Sequence, residues 1–394
     1  MAGATKKHRE KMTATPGRPI YHRVAVSSLF LLNGFVFASW AARIPYFKDY
    51  FHLNDGQLGS LLLCLPVGSL AILPLAGWLS TRFGSRLTAI MGSAIYCICL
   101  VWIGLAPNVF WLCTALVMMG ASGNILNIAE NTQGILVEGL FGRPMLSSFH
   151  GMFSLGGMVG AAFSGLMVAS GILPRYNFLG VGLFALLIPL LAGSFLLKSD
   201  YGAGSDTPLF VMPDKALLKL GVIALCVMMG EGAMADWSSV YVRQYIPAHL
   251  ALATAGYTSF SLAMALGRFN GDWVTLRLGT IRVLYFSGIL AASGIMLAIL
   301  FPVIWMVIIG FALVGAGFSI VVPLVYSSAG RSKTMPASMA LAAVTTVGFL
   351  GFLAGPPLIG FTAQLITLRG ALLILLVLAS VISLFSKSAG NREG

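Results

Sequence analysis

The stretch Pro74-Leu75-Ala76-Gly77-Trp78-Leu79-Ser80-Thr81-Arg82-Phe83-Gly84 has a counterpart 195 residues later, Phe269-Asn270-Gly271-Asp272-Trp273-Val274-Thr275-Leu276-Arg277-Leu278-Gly279. Trp, Arg and Gly coincide at 78/273, 82/277 and 84/279. The same shift lays Gly156, Gly160 and Gly165 on Gly351, Gly355 and Gly360. One offset that fits two distant places marks the chain as a duplicated unit.

Composition says what is duplicated. Of 394 residues, 58% are hydrophobic and only 9% charged, with a mean hydropathy of +0.91. A soluble domain carries about 25% charge, so this chain has too little to wet a water-exposed surface. That excludes a soluble enzyme, a disordered chain and a coiled coil, and leaves a polytopic membrane protein. A helical span needs about 20 mostly apolar residues. Twelve such spans are predicted, at 24–46, 56–80, 87–106, 109–137, 146–171, 177–197, 217–244, 253–276, 281–300, 303–328, 336–366 and 369–386. The first follows a basic segment but is too long for the 7–15-residue apolar region of a signal peptide, so it is read as a retained helix. Asn54-Asp55-Gly56-Gln57 has the spacing of a capping box at the next helix start. The predicted fold is all-α. It has a basic N-terminal segment 1–23, a six-helix bundle 24–197, a polar linker 198–216, a second six-helix bundle 217–386 and a short tail 387–394.

The net charge of +12 follows the same layout. With the N-terminus inside, 18 of the 24 Lys and Arg residues fall on the cytoplasmic side. The positive-inside rule then places both termini in the cytoplasm of a bacterial inner membrane. Anionic lipid, and not nucleic acid, is the natural partner of these residues. The five cysteines (64, 97, 99, 113 and 226) lie in apolar runs without disulfide or zinc spacing, as packed free thiols do.

Gly77-Trp-Leu-Ser-Thr-Arg-Phe-Gly-Ser-Arg86 resembles the helix 2–3 signature of the major facilitator superfamily, G-x-L-x-D-R-x-G-R-R. Gly77, Leu79, Arg82, Gly84 and Arg86 match; the acidic position is Thr81 here and Leu276 in the second copy. The resemblance covers nearly the whole chain. It implies a secondary transporter with a central site between two six-helix halves, and a cytoplasmic gate region at Arg82, Arg86 and Arg277. The segments Glu231–Trp237, Ser148–Gly156 and Gly351–Pro357 further resemble a bacterial subgroup related to fucose-permease-type carriers. Gly156-x-x-x-Gly160 and Gly351-x-x-x-Gly355-Pro356 resemble the superfamily's antiporter motif, and their physical content is close helix packing through small residues.

The fourth span is the most polar. Asn124, Asn127, Glu130, Asn131 and Glu138 fall at about 0°, 300°, 240°, 340° and 320° around a helix turning about 100° per residue. This single stripe cannot face lipid. The corresponding part of the tenth span reads Phe318, Val321, Leu324 and Val325, so the polarity belongs to one half, as a binding site can and shared packing would not. Asn124, Asn127 and Asn131 are therefore candidates for solute binding, with Trp40 and Trp237, which occupy similar places in the two halves and equally suit the outer membrane interface. Glu130 and Glu231, acids within spans, are candidates to carry a coupling proton. Arg43 and Asp236 are expected to meet across the halves as an outer gate, with Glu231, a lipid headgroup or the solute as equal alternatives for Arg43. Arg268 and Asp272, four apart, read as a local ion pair. His150 reads as a gate or packing residue rather than a proton-transfer group.

The sequence thus points to a monomeric, proton-coupled carrier of a small polar organic solute, working by alternating access. An efflux antiporter is the alternative within transport. A receptor or a membrane-embedded enzyme is the alternative outside it. No G-x-x-x-x-G-K-[ST] or H-E-x-x-H motif is present, so the sequence offers no phosphate loop, catalytic zinc motif or cofactor site.

Overall fold

A computed structural model describes residues 19–143, 145–198, 215–247, 250–332 and 337–389. Most of the predicted basic segment, linker and tail lies outside the described residues. Every element among the described residues is helical. Ten helices are long and apolar enough to cross a membrane. They are α1 (Pro19–Tyr50), α3 (Arg82–Leu105), α4 (Val109–Phe141), α5 (Leu146–Ala169), α6 (Pro174–Phe195), α7 (Leu217–Tyr245), α9 (Thr280–Leu300), α10 (Ile304–Gly330), α11 (Met339–Ile366) and α12 (Leu368–Ala389). An eleventh crossing, α2, is a pair, Asp55–Ala71 and Leu73–Ser80, bent by 43°. The twelfth expected span is present as α8 (Ala255–Leu278), but its composition does not mark it as a crossing. It carries Arg268, Asn270, Asp272 and Arg277, of which Arg268 is turned inward onto Glu231 and Ser154.

Local chemistry sets the breaks. Asn54 and Gln57 form the expected capping box at the start of α2. Helix α1 is interrupted at Ala42–Arg43, where Pro45 cannot donate a backbone N–H to the preceding turn. The two signature loops turn alike. Gly84 has φ 78° and ψ 150°, and Gly279 has φ 75° and ψ 153°, a region that L side chains avoid. The duplication read from the sequence is therefore also a duplication of backbone.

Packing repeats as well. Helix α1 lies on α5 as α7 lies on α11; α3 meets α4 and α6 as α9 meets α10 and α12; and α2 meets α4 as α8 meets α10. Glycine permits the closest of these contacts. A Cβ at Gly156 would overlap the carbonyl oxygen of Leu31, and one at Gly351 that of Leu225. The glycine motifs are thus helix-packing devices in both halves. Between halves, α2 crosses α11 and α5 crosses α8, two contacts that exchange under the internal symmetry. A broad apolar core runs through both halves, and among its members Cys97, Cys99 and Cys226 are buried free thiols.

Candidate functional site

The polar interior begins on α4, and its stripe divides into distinct roles. Asn124 donates from Nδ2 to Ser69 Oγ on α2 at 2.8 Å, so it braces two helices. Asn131 donates to the carbonyl of Asn127 at 2.8 Å, bonding its own helix, and both residues are half-buried. Glu138 accepts from the backbone N–H groups of Met145 and Leu146 at 2.5 and 2.8 Å, which caps the start of α5 with a negative charge. Glu130 is wholly buried. Its Oε1 accepts from Asn33 Nδ2 on α1 at 2.9 Å, while Oε2 has no hydrogen-bond partner among the described residues.

The C-terminal half supplies a different arrangement. Both oxygens of Glu231 on α7 lie 3.3 Å from Arg268 Nη2 on α8. The same guanidinium donates from Nη1 to Ser154 Oγ at 2.7 Å and to the His150 carbonyl at 3.4 Å, both on α5 of the other half. Its Nε donates to the Ser319 carbonyl at 3.4 Å. Arg268 therefore ties α7, α8 and α10 to α5. The expected local Arg268–Asp272 pair rests on the Asp272 side chain, which lies outside the described residues; among the described residues the acid that meets Arg268 is Glu231. His150 contributes its carbonyl to Arg268, and its ring packs edge-on against Phe30 at 5.2 Å.

The expected Arg43–Asp236 gate is not formed. Arg43 is buried and turns into its own half, where Nε donates to Asn177 Oδ1 at 3.0 Å and Nη2 to the Ile172 carbonyl at 2.9 Å. The break before Pro45 aims the guanidinium at α6 rather than across the bundle. Asp236 is half-buried, with no ion pair to Arg43. A cross-half ion pair between α1 and α7 does exist further along both helices, from Arg243 Nη2 to Asp49 Oδ2 at 3.5 Å. Beside it Gln244 donates to Asp55 at 3.4 Å, and Lys48 bonds the same Asp55. This end of the molecule is closed by backbone as well. A Cβ at Gly59 on α2 would lie 2.7 Å from the Pro356 carbonyl oxygen and 3.0 Å from the Gly360 Cα on α11. Trp40 and Trp237 are both fully buried, Trp40 against Phe47 at 5.3 Å. In this conformation they pack the core and present no face to an open cavity or to the membrane interface.

Besides Asn177, the partner of Arg43, two buried amides escaped the sequence reading. Asn33 is the only amide side chain in α1. Gln133 is wholly buried and bonds Ser85 Oγ at 2.8 Å and both backbone groups of Leu197, at 2.8 and 2.9 Å. A lone amide in an apolar span was the signal available for Asn33. Gln133, within α4 but off its stripe, was visible only as a polar side chain on the wrong face.

Comparison with known proteins decides the family. The model of the Major Facilitator Superfamily matches residues 26–333. The chain belongs to that superfamily. An MFS-type transporter of Yersinia pestis is 37% identical over 382 residues, covering 96% of this chain and 98% of that one. The fold is shared with solved transporters. The nucleoside transporter NupG superposes with a TM-score of 0.69 at 12% identity, covering 94% and 99% of the two chains. A variant of the Escherichia coli fucose:proton symporter FucP gives 0.64 at 17%, covering 93% and 98%. The expected resemblance to fucose-permease-type carriers thus extends to the fold. This is a multi-pass membrane protein of a transporter superfamily rather than an enzyme.

Within the superfamily's signature loops, Arg82 and Arg277 are exposed and Arg86 is half-buried. Arg277 stacks over the Trp273 ring at 4.2 Å. The ion pairs of the described residues lie elsewhere, at the Asp49 end and around Arg268, in keeping with Thr81 and Leu276 at the signature's acidic positions.

Proposed function

We propose that this superfamily member is a proton-coupled carrier of a small polar organic solute, working by alternating access in a bacterial inner membrane with both termini cytoplasmic. The observation that carries the proposal is the buried polar interior: Glu130 with Asn33 in one half, and Glu231 with Arg268 reaching Ser154 across to it. Polar groups in a membrane interior are costly and are kept where a solute or ion passes. Glu130 is the proton carrier. Its carboxyl is buried beside neutral amides with no counter-charge, so a full charge there is poorly compensated, whereas Glu231 already has Arg268. Asn127, Asn131 and Asp236, half-buried and free of cross-bundle partners among the described residues, contact the solute. With the termini cytoplasmic, the Asp49 end is the outer one, and the closed crossing of α2 on α11 seals it.

The test is transport in proteoliposomes. A panel of labelled sugars, nucleosides and amino acids is offered under an imposed inward proton gradient. Accumulation of one class, dependent on the gradient, is expected. Glu130→Gln is expected to abolish accumulation and keep exchange of internal for external solute. Normal gradient-driven accumulation by Glu130→Gln overturns the assignment of the proton. Gradient-independent movement of every accepted solute overturns proton coupling as a whole.

A further inference from the structure

From Trp273 to Arg392 the sequence contains no Asp or Glu. Basic side chains in that stretch have no acid of their own segment to pair with. Two of them, Arg282 at the start of α9 and Lys387 in the 3-10 turn Ser386–Ala389 that ends α12, line one groove. The groove is about 470 Å³, within the range of small-molecule sites. Among the described residues its remaining walls are Leu278, Ile281, Tyr285, Phe286 and Ser386. The helices that frame it are in contact, Ser383 Oγ donating to the Tyr285 carbonyl at 2.8 Å, so the site is built between two packed elements and not on a loop tip. Leu278, Ile281, Tyr285 and Phe286 are exposed. They are large and apolar, and they sit at the end of α8 and the first turns of α9, where a spanning helix leaves the hydrocarbon.

The occupant this combination fits is amphiphilic and anionic. A free anion would satisfy the two cations but leave the apolar walls uncovered; an uncharged lipid would do the reverse. We propose that the groove between α9 and the C-terminal turn of α12 binds the headgroup of one anionic phospholipid, its phosphate on Arg282 and Lys387 and its acyl chains along Ile281 and Phe286. Tyr285 supplies the interfacial ring that commonly sits at headgroup level, and among the described residues no acid lines the groove to oppose the phosphate. The chemistry is that of basic pockets beside membrane helices that hold anionic headgroups. It does not depend on which solute is carried.

Native mass spectrometry of the full-length protein, purified in detergent and titrated with phosphatidylglycerol, tests it. The expected result is one preferentially retained phosphatidylglycerol, with phosphatidylcholine retained at least tenfold less well. In Arg282→Gln/Lys387→Gln the retained lipid is expected to be weakened by roughly tenfold to thirtyfold, from about 1 kcal/mol per basic side chain near the surface. Arg143→Gln, which removes a charge from an exposed position on another loop, is expected to change nothing. Inorganic phosphate added in large excess is expected not to displace the lipid. Equal retention by the double variant and the unaltered protein overturns the proposal, as does equal retention of phosphatidylcholine. Displacement by inorganic phosphate would show an anion site without lipid specificity and overturns it too.

Discussion

Glu130 and Glu231 are both acids in the interior of a duplicated fold, one in each half, yet they are neutralised differently. Glu231 has an arginine, and that arginine is shared with the opposite half through Ser154 and the His150 carbonyl. Glu130 has the Asn33 amide and a bare oxygen. Duplication therefore preserved the helical frame, down to the backbone torsions of Gly84 and Gly279, while the charges inside it diverged. One half holds a cation–anion link and the other an acid with no cationic partner among the described residues.

The sharpest way to break this contrast is to remove the arginine. Arg268→Gln strands the Glu231 charge, and losing one partner of a buried pair costs about 3–5 kcal/mol. The expected outcome is a large fall in unfolding temperature in detergent, mostly recovered in Glu231→Gln/Arg268→Gln. Absence of recovery in the double variant would mean that Arg268 acts through Ser154 and His150 alone. Next in size is the closed end. Gly59→Ala puts a methyl against the Pro356 carbonyl, and overpacking of this kind costs about 1–3 kcal/mol. The end should open, read as faster maleimide labelling of a Gln364→Cys reporter facing Gly56. Unchanged labelling would show that the glycine crossing does not hold this end shut.

Smaller still is Glu130→Gln. Because the acid has no counter-ion to strand and the amide can still accept from Asn33, its effect on stability is expected to stay below about 1 kcal/mol, the scale of one net hydrogen bond. A loss as large as that of Arg268→Gln would make the two acids alike and remove the contrast. Last, Asp49→Asn breaks an exposed pair, both of whose side chains are about half exposed. Such pairs are worth about 0–1 kcal/mol. A slight increase in labelling of the same Gln364→Cys reporter is expected, erased by high salt in the unaltered protein.

The frame was legible from the sequence because it rests on signals that survive without knowledge of neighbours: apolar length, a repeated offset, and glycine spacing. Eleven of the twelve spans declare themselves by composition, counting the bent α2 as one. The exception, α8, carries a cation that faces inward, and hydropathy does not record which way a side chain points. The stripe on α4 follows from helical periodicity, which assigns a face and not its partners. Asn124 found Ser69, Glu138 found the start of α5, and Glu130 found Asn33. Arg268 found Glu231, an acid 37 residues away on another helix. Arg43 and Asp236 were placed at similar depth, and depth alone does not bring two side chains together.

The anchoring of Arg43 has a mechanical consequence. Through Asn177 and the Ile172 carbonyl it fastens the junction of α1 to α6, so the segment Ile44–Tyr50 beyond it is an arm fixed to the N-terminal half. Any rotation of the halves carries Asp49 with that arm, away from Arg243 on the other body. The parting line at this end therefore runs beyond the Arg43 anchor, between Asp49 and Arg243 and between Gly59 and Pro356. A spectroscopic ruler spanning positions 50 and 176 should keep one length through the transport cycle, whereas one spanning 50 and 243 should have two.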